Sequence, residues 1–434
     1  MVAHAPSVPK EKNSRVINHT PVFYGWVIWA VGALAIIAAA PGTAFTFSLF
    51  NDYYIDEFHI SRTELSIMVG LGTFFSSFGI AWIGKQIDRY GNHVVGVVVI
   101  ISFILVLMAS SMLMGMITLF FSFLLLRLTG ISMNVLGSTA IAGWWEKKRG
   151  LFVGLSLIPA ALFRWQYLPI LQSTIDKYGW RTTWVILGLS LAVTILPLWF
   201  IFMRNRPEEY GLLPDGESCP PPCNAKKTLN QQTDTAQDWT LSEARHTFTF
   251  WIFLVARATS GIIGAGFVFH QVSVLAQGGY SAEEAAAAFG TVSLISVGMT
   301  VVVGWLITRV RPGAMIAMQQ LLMVGVLIFV TTLSASWMFT GFILLFGMAW
   351  GFGGTIDGTI WADLYGRTHH GAIRGFTTNV HMIGTAIGPI VYGISYDLFD
   401  SYQPVAFVGV TVLILEAVLC FWVKTPQKSP QIPS

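Results

Sequence analysis

The sequence predicts an all-α integral membrane protein, with twelve transmembrane helices in two six-helix pseudo-repeats. Three observations predict it. Only 11% of the 434 residues are charged and 54% are hydrophobic, against about 25% charged in a soluble domain. The chain divides into twelve apolar runs, each near the roughly 20 residues that a helix needs to cross a bilayer. Features of the first half recur in the second at a nearly constant offset. The 25 basic and 22 acidic side chains are too few to solvate the surface of a soluble chain this long. That excludes a soluble enzyme and a disordered scaffold. A net charge of +3 gives no basic field for nucleic acid. The 42 glycines suit helices that pack closely in a membrane.

In chain order, residues 1–22 form a polar tail (Lys10, Glu11, Lys12, Arg15) with no apolar core of a cleaved signal peptide. The first half, 23–203, holds spans expected near 23–50, 64–83, 94–114, 117–142, 151–172 and 182–203. A linker over 204–247 is rich in Pro, Gln, Thr and Asp and lacks an apolar face. Its end, Trp239 to Arg245, predicts a short helix on the membrane surface, with Thr240 and Glu243 in capping-box spacing. The second half, 248–423, holds spans near 248–276, 285–307, 314–333, 337–361, 375–396 and 403–423, and a tail follows over 424–434. With the N-terminus in the cytoplasm, 19 Lys and Arg fall in cytoplasmic segments, including Lys147, Lys148, Arg149 and Lys428. Three (Arg62, Lys177 and Arg181) fall outside. This bias orients both termini inward. Cys219, Cys223 and Cys420 have neither the number nor the spacing for a disulfide framework or a metal site, so three unpaired thiols and no cofactor are expected.

Gly84 and Arg89 after span 2 match Gly304 and Arg309 after span 8, 220 residues on, with Thr308 in the place of Asp88. Arg149-Gly150 followed by Gly154 matches His370-Gly371 followed by Gly375 at an offset of 221. Pro169 matches Pro389, and Asp176 matches Asp397. Parallel repeats of this kind characterise the major facilitator fold, which holds substrate near the midplane between its halves. The segment GKQIDRYG (Gly84 to Gly91) resembles the facilitator pattern G-x-x-x-D-R-x-G. There Asp88 and Arg89 would act as a latch that breaks when the halves rock. WWEKKRGLFVG (Trp144 to Gly154) is similar to the monocarboxylate-porter pattern Y-F-x-K-R-R-x-L-A-x-G, and FYGWVIW (Phe23 to Trp29) to that family's first-span opening. NRPEEYGLLPDG (Asn205 to Gly216) resembles the linker start of oxalate/formate-antiporter-like members. The resemblance covers essentially the whole chain and implies a secondary carrier for small organic anions. Two features differ from it. Span 8 has no charge where these porters place an Asp–Arg pair or an Arg, and span 11 has no Lys.

Charge at mid-bilayer costs about 2.5–3.5 kcal/mol on insertion scales, so the ionisable groups within spans carry the functional reading. Arg127 in span 4 shares a face with Asn134. It reads either as a hydrogen-bond hub for loops and helix ends or as a coupling residue. Arg164 in span 5 has no acid at its depth in the first half, which points to a substrate carboxylate. Pairing with helix-end carbonyls or snorkelling would explain it otherwise. Arg257 in span 7 precedes Gly261 and Gly264 on its face and reads as a second anion site or as the partner of Asp357 in span 10. If they pair, protonating Asp357 would free Arg257. Trp350, Gly354, Asp357 and Trp361 form one stripe, and Thr378, His381 and Thr385 another with Asn379 adjacent. His381 and Asn379 are candidate cavity hydrogen-bonding groups. Glu416 reads as peripheral, and His270 lies near the outer end of span 7. Tyr24, Phe45, Phe47, Trp165, Tyr167 and Tyr392 read first as helix packing and second as cavity lining.

The expected function is a secondary active transporter of a monocarboxylate or short dicarboxylate across the cytoplasmic membrane. It would work by proton symport or anion exchange, as a monomer, with no nucleic acid as partner. An exporter of drugs or amphiphilic metabolites is the rival within the class. A non-transporting membrane sensor or assembly factor is the rival outside it. An enzyme is disfavoured because no nucleophile–base pair or metal-ligand set stands out.

Overall fold

The structure, a computed structural model, describes residues 17, 20–146, 148–216, 239–332, 336–366, 370–423 and 426. Lys10, Glu11, Lys12, Arg15, Lys147, Cys219, Cys223 and Lys428 lie outside them. Among the described residues twelve helices have the length and apolarity of membrane spans. Spans 1 to 6 are Gly25–Ser48, Arg62–Ile80, Trp82–Met112, Met116–Trp144, Leu151–Tyr178 and Trp180–Phe202. Spans 7 to 12 are Phe248–Phe269, Ala282–Leu306, Pro312–Thr331, Trp337–Asp357, Ile373–Phe399 and Gln403–Trp422. The expected break between spans 2 and 3 narrows to one residue. Helix runs from Arg62 to Ala109 save at Gly91, where φ is 82° and ψ is 160°. Glycine is required there by conformation and also by space. A Cβ would lie 2.5 Å from the Asn205 side chain, whose Oδ1 accepts the His93 N–H at 2.9 Å.

The duplication is visible in how helices start. Ser61 caps span 2 through the Glu64 N–H at 3.1 Å, and Ser281 caps span 8 through the Glu284 N–H at 3.2 Å, with each Glu bonding back to its Ser N–H. Two residues before each cap the chain turns left-handed, at His59 (φ 52°) and Gly279 (φ 85°). Both pairs stand at the offset of 220. The linker's capping box forms as well: Thr240 accepts from the Glu243 N–H at 3.3 Å, and helix spans Leu241–Arg245.

Span 1 is interrupted. Helix Gly25–Ala38 gives way to a tight turn at Ala40–Gly42, where Pro41 cannot continue the hydrogen-bond ladder, and resumes at Ala44–Ser48. The hydroxyls of Thr43 and Thr46 both donate to the Ala40 carbonyl, at 2.8 and 2.7 Å. Gly42 rests on Gly130 of span 4; a Cβ at Gly42 would lie 2.8 Å from the Gly130 Cα. This opening in span 1 places the Gly42 carbonyl beside Arg127 of span 4 and Phe45 against Phe289 and Trp350 of spans 8 and 10.

The halves meet on the face opposite the termini. Spans 2 and 11 touch where a Cβ at Gly70 would sit 2.5 Å from the Ala386 carbonyl. Spans 5 and 8 touch where a Cβ at Gly290 would sit 2.6 Å from the Trp165 carbonyl. Polar bonds seal the same face: Asn51 donates to the Phe269 carbonyl (2.6 Å), Gln271 to Ser48 Oγ (2.5 Å) and Arg62 to Ser273 Oγ (2.6 Å). The Asp397 carboxylate accepts the Thr63 N–H at 2.9 Å. His270 joins Ser66 Oγ (2.9 Å), the Pro389 carbonyl (3.1 Å) and the Tyr402 hydroxyl (3.3 Å). Burial, more than the nearby Arg62 charge, pushes the His270 imidazole down to about 3. Neutral His270 with Nε2–H as donor and Nδ1 as acceptor satisfies all three partners.

Candidate functional site

Between the halves lies a cavity of about 570 Å³. Its first-half wall carries Phe45, Arg127, Asn134 and Arg164, and its second-half wall carries Arg257, Asp357 and His381. All six of these polar residues were candidate site residues from sequence. Three guanidinium groups and one carboxylate give the lining an excess of positive charge.

Arg257 is tied down. Its Nε donates to Asp357 Oδ1 at 3.2 Å, and its Nη2 lies 3.5 Å from His381 Nε2. His381 Nδ1 lies 3.1 Å from the Arg257 carbonyl. An imidazole that donates from Nδ1 to that carbonyl keeps Nε2 as an acceptor, so neutral His381 serves as a second, uncharged acceptor for the guanidinium. Close helix approach makes this possible: a Cβ at Gly261 would fall 2.8 Å from His381 Nδ1, and one at Gly264 3.4 Å from the Trp350 ring.

Arg127 and Arg164 differ from Arg257. Arg127 reaches one carbonyl, that of Gly42, at 3.5 Å, and its Nε is buried without a partner. This single long bond lies at the opening in span 1. Among the described residues Arg164 has no ion pair or hydrogen bond; it stands over the Phe45 ring, 5.3 Å from the centroid. Phe45 in turn touches Trp350 across the cavity, with centroids 5.7 Å apart.

Several sequence expectations are corrected. Asn379 is exposed and outside the lining, because two residues from His381 is about 200° around a helix. Thr378 is also absent from the lining, whereas Thr385 belongs to it. Trp361 is buried away from the cavity against Phe250. Of the six aromatic candidates only Phe45 lines the cavity; Tyr24, Phe47, Tyr167 and Tyr392 are buried elsewhere, as their first reading held, and the Trp165 ring is exposed. Glu416 is not peripheral: it is 6% exposed and accepts from Thr259 Oγ1 at 2.6 Å and Gln320 Nε2 at 2.8 Å. Asp88 and Arg89 are exposed, Arg89 lies against Tyr90, and no latch bond forms on Asp88 among the described residues. Cys420 is a free, buried thiol.

Sequence reasoning missed Ser293, Ser296 and Thr300 of span 8, which line the cavity. Their spacing of three and four residues marks one helix face, a signal masked by searching span 8 for charge alone. It also missed Gln319, a buried lining residue whose Oε1 has no partner.

Two six-helix halves around a central cavity, joined at one face by interhalf contacts, are the architecture of a membrane transporter. The comparisons with known proteins agree. The sequence model of the Major Facilitator Superfamily matches residues 31–389, and the chain belongs to that family. An uncharacterized MFS-type transporter of Bacillus subtilis (strain 168), YcxA, is 25% identical over 401 residues, which is 86% of this chain and 89% of that protein. Among solved structures, a bacterial homolog to the human lysosomal transporter Spinster is similar in two states. The inward-facing, unoccupied form gives a TM-score of 0.66 at 16% identity, covering 92% of this chain and 95% of that one. The inward-facing, occupied form gives 0.61 at 14%, covering 91% and 94%. At these identities the likeness is one of fold.

Proposed function

We propose that this facilitator moves a small organic anion, a monocarboxylate or short dicarboxylate, across the cell membrane by alternating access. The observation that carries the proposal is the cavity's charge: three arginines against one carboxylate. Arg164 and Arg257, from opposite halves, would hold the carboxylate, and charge-assisted hydrogen bonds to it would draw the halves together. Arg257 must first leave Asp357. Protonating Asp357 removes the competing charge and frees Arg257, which couples uptake to a proton; an incoming anion that displaces Asp357 instead gives exchange. Apolar wall residues, among them Ile36, Leu157, Val268 and Met323, favour an acid with an apolar body over formate.

The charge bias of the loops supports a cytoplasmic location for both termini. The cavity then faces inward in this structure, since the sealed face lies opposite the termini. Counterflow of labelled lactate, oxalate and benzoate in proteoliposomes tests the reading. Exchange-driven accumulation of one of them supports it. Transport of cationic or neutral amphiphiles alone would refute it and favour the exporter, and ligand binding without counterflow would favour a sensor.

A further inference from the structure

Glu416 stands in span 12, a region that the cavity does not reach. It is nonetheless buried, and its partners belong to the helix that carries Arg257. Thr259 of span 7 donates to Oε1 at 2.6 Å. Gln320 of span 9 donates to Oε2 at 2.8 Å and to the Ala256 carbonyl at 3.0 Å, and its own Oε1 accepts from Ser260 at 2.9 Å. Ser260 is part of the cavity wall. A row of hydrogen bonds therefore runs from the cavity surface, past the carbonyl of Ala256 beside Arg257, to a carboxyl group.

Among the described residues that carboxyl has no cation partner. Span 7 presents Thr259, with Arg257 committed to Asp357 and His381. Span 9 presents Gln320, and its Arg311 N-cap lies over Phe421, 4.5 Å from the ring centroid. Span 11 brings His381, bonded to Arg257. Span 12 itself adds the buried Cys420 thiol one turn on. Two neutral donors do not make good the loss of hydration of a buried carboxylate. The donor at Oε1, however, is reversible. A threonine hydroxyl accepts as readily as it donates, and within a helix it has the carbonyl four residues back as an alternative acceptor. A proton on Oε1 can thus donate to Thr259 Oγ1 once the Thr259 hydroxyl turns away from the carboxyl.

We infer that Glu416 is a proton-binding site distinct from Asp357, built into the packing of spans 7, 9 and 12. Hydronium delivers the proton to Oε1 and leaves as water, and release reverses this. Each change reverses the Thr259 hydrogen bond, and so biases span 7, on which Arg257 rides. The site needs no substrate, so it stands or falls apart from the anion reading.

The test is infrared difference spectroscopy of the purified full chain in lipid vesicles, titrated from alkaline to acid pH. Wild type is expected to gain a protonated-carboxyl C=O band that Glu416→Gln lacks and Asp357→Asn keeps. An identical pH-dependent band in Glu416→Gln overturns the inference. So does a Glu416 band that is unchanged at every pH, which would make the group a fixed neutral acid. Should Glu416→Gln fail to fold, Thr259→Val serves. Removing a donor to the carboxylate should move the band's midpoint up by about one pH unit, a tenfold gain in proton affinity. An unmoved midpoint refutes the site.

Discussion

Arg164→Ala separates a substrate cation from a structural one. Among the described residues Arg164 has neither carboxylate nor carbonyl partner, and it stands over the Phe45 ring, 5.3 Å from the centroid. Losing that cation–π contact costs about 0.5–2 kcal/mol. Removing a cation held out of water returns a similar or larger amount. The folded state should therefore change by no more than ~1 kcal/mol, in either direction. Arg257→Ala is the opposite case, because it strands Asp357. Breaking a buried pair costs about 3–5 kcal/mol, and the low end applies because the Asp357 side chain is 26% exposed. For binding, loss of one charge-assisted hydrogen bond, about 1.5–3 kcal/mol, predicts roughly 10- to 150-fold weaker affinity. The assay is a thermal-shift titration with the carboxylate that most stabilises wild type, followed by counterflow. Arg164→Ala should keep the wild-type melting temperature without ligand and lose most of the ligand-induced shift. A variant that melts early without ligand, or that binds the acid as wild type does, refutes the assignment.

Asp357→Asn keeps an acceptor for Arg257 Nε but removes the charge; the pH profile of transport should change, and an unchanged profile in vesicles would sink the proton gate. Gln319→Leu replaces an unpartnered buried amide with an apolar group, so it should leave the melting temperature unchanged or raised. If the amide serves substrate, the same variant weakens binding about tenfold, and unchanged affinity removes it from the site. His270, held neutral down to about 3, binds fewer protons folded than unfolded below its ordinary value of about 6.5. Its contribution is present above that value and is lost as pH falls toward 3. Melting temperature should drop over this window, and His270→Gln should flatten the drop.

The fold was legible because membrane burial writes itself into composition: twelve apolar runs and a 220-residue echo need no tertiary knowledge. The site was legible where charge is costly, so Arg127, Arg164, Arg257 and Asp357 stood out in apolar context. Pairing was harder. Arg257 and Asp357 are 100 residues apart, and only the packing of spans 7 and 10 shows that they bond. Asn379 misled because adjacency in sequence is divergence around a helix. Glu416 misled for a different reason: a lone acid in the last span looks dispensable until Thr259 and Gln320, from two other helices, are seen to converge on it. Neutral polar residues such as Ser293 and Gln319 carry little insertion cost and so little sequence signal.

The glycines of the repeat bear on what the protein must do next. Spans 5 and 8 touch at Trp165 and Gly290, then part along the cavity, which Leu157 and Thr300 line. One turn further toward the termini stand Gly154 and Gly304, and a Cβ at either would meet nothing within 4 Å. Spans 2 and 11 do the same: close contact at Gly70 and Ala386, open space at Gly84 and Gly375. These four are the residues that recur between the halves in sequence, yet none is needed for packing in this state. The proposed alternating access predicts their use in a state where the termini face is closed, with the same helix pairs crossing there as they now cross at Gly70 and Gly290. Gly154→Val and Gly304→Val should then leave ligand-free stability within ~1 kcal/mol, the helix-propensity cost aside. Both should abolish counterflow while binding of the carboxylate to the open cavity persists. Full transport by the double variant would mean that the two glycines face lipid throughout the cycle, and that the halves close without bringing spans 5 and 8 together at this end.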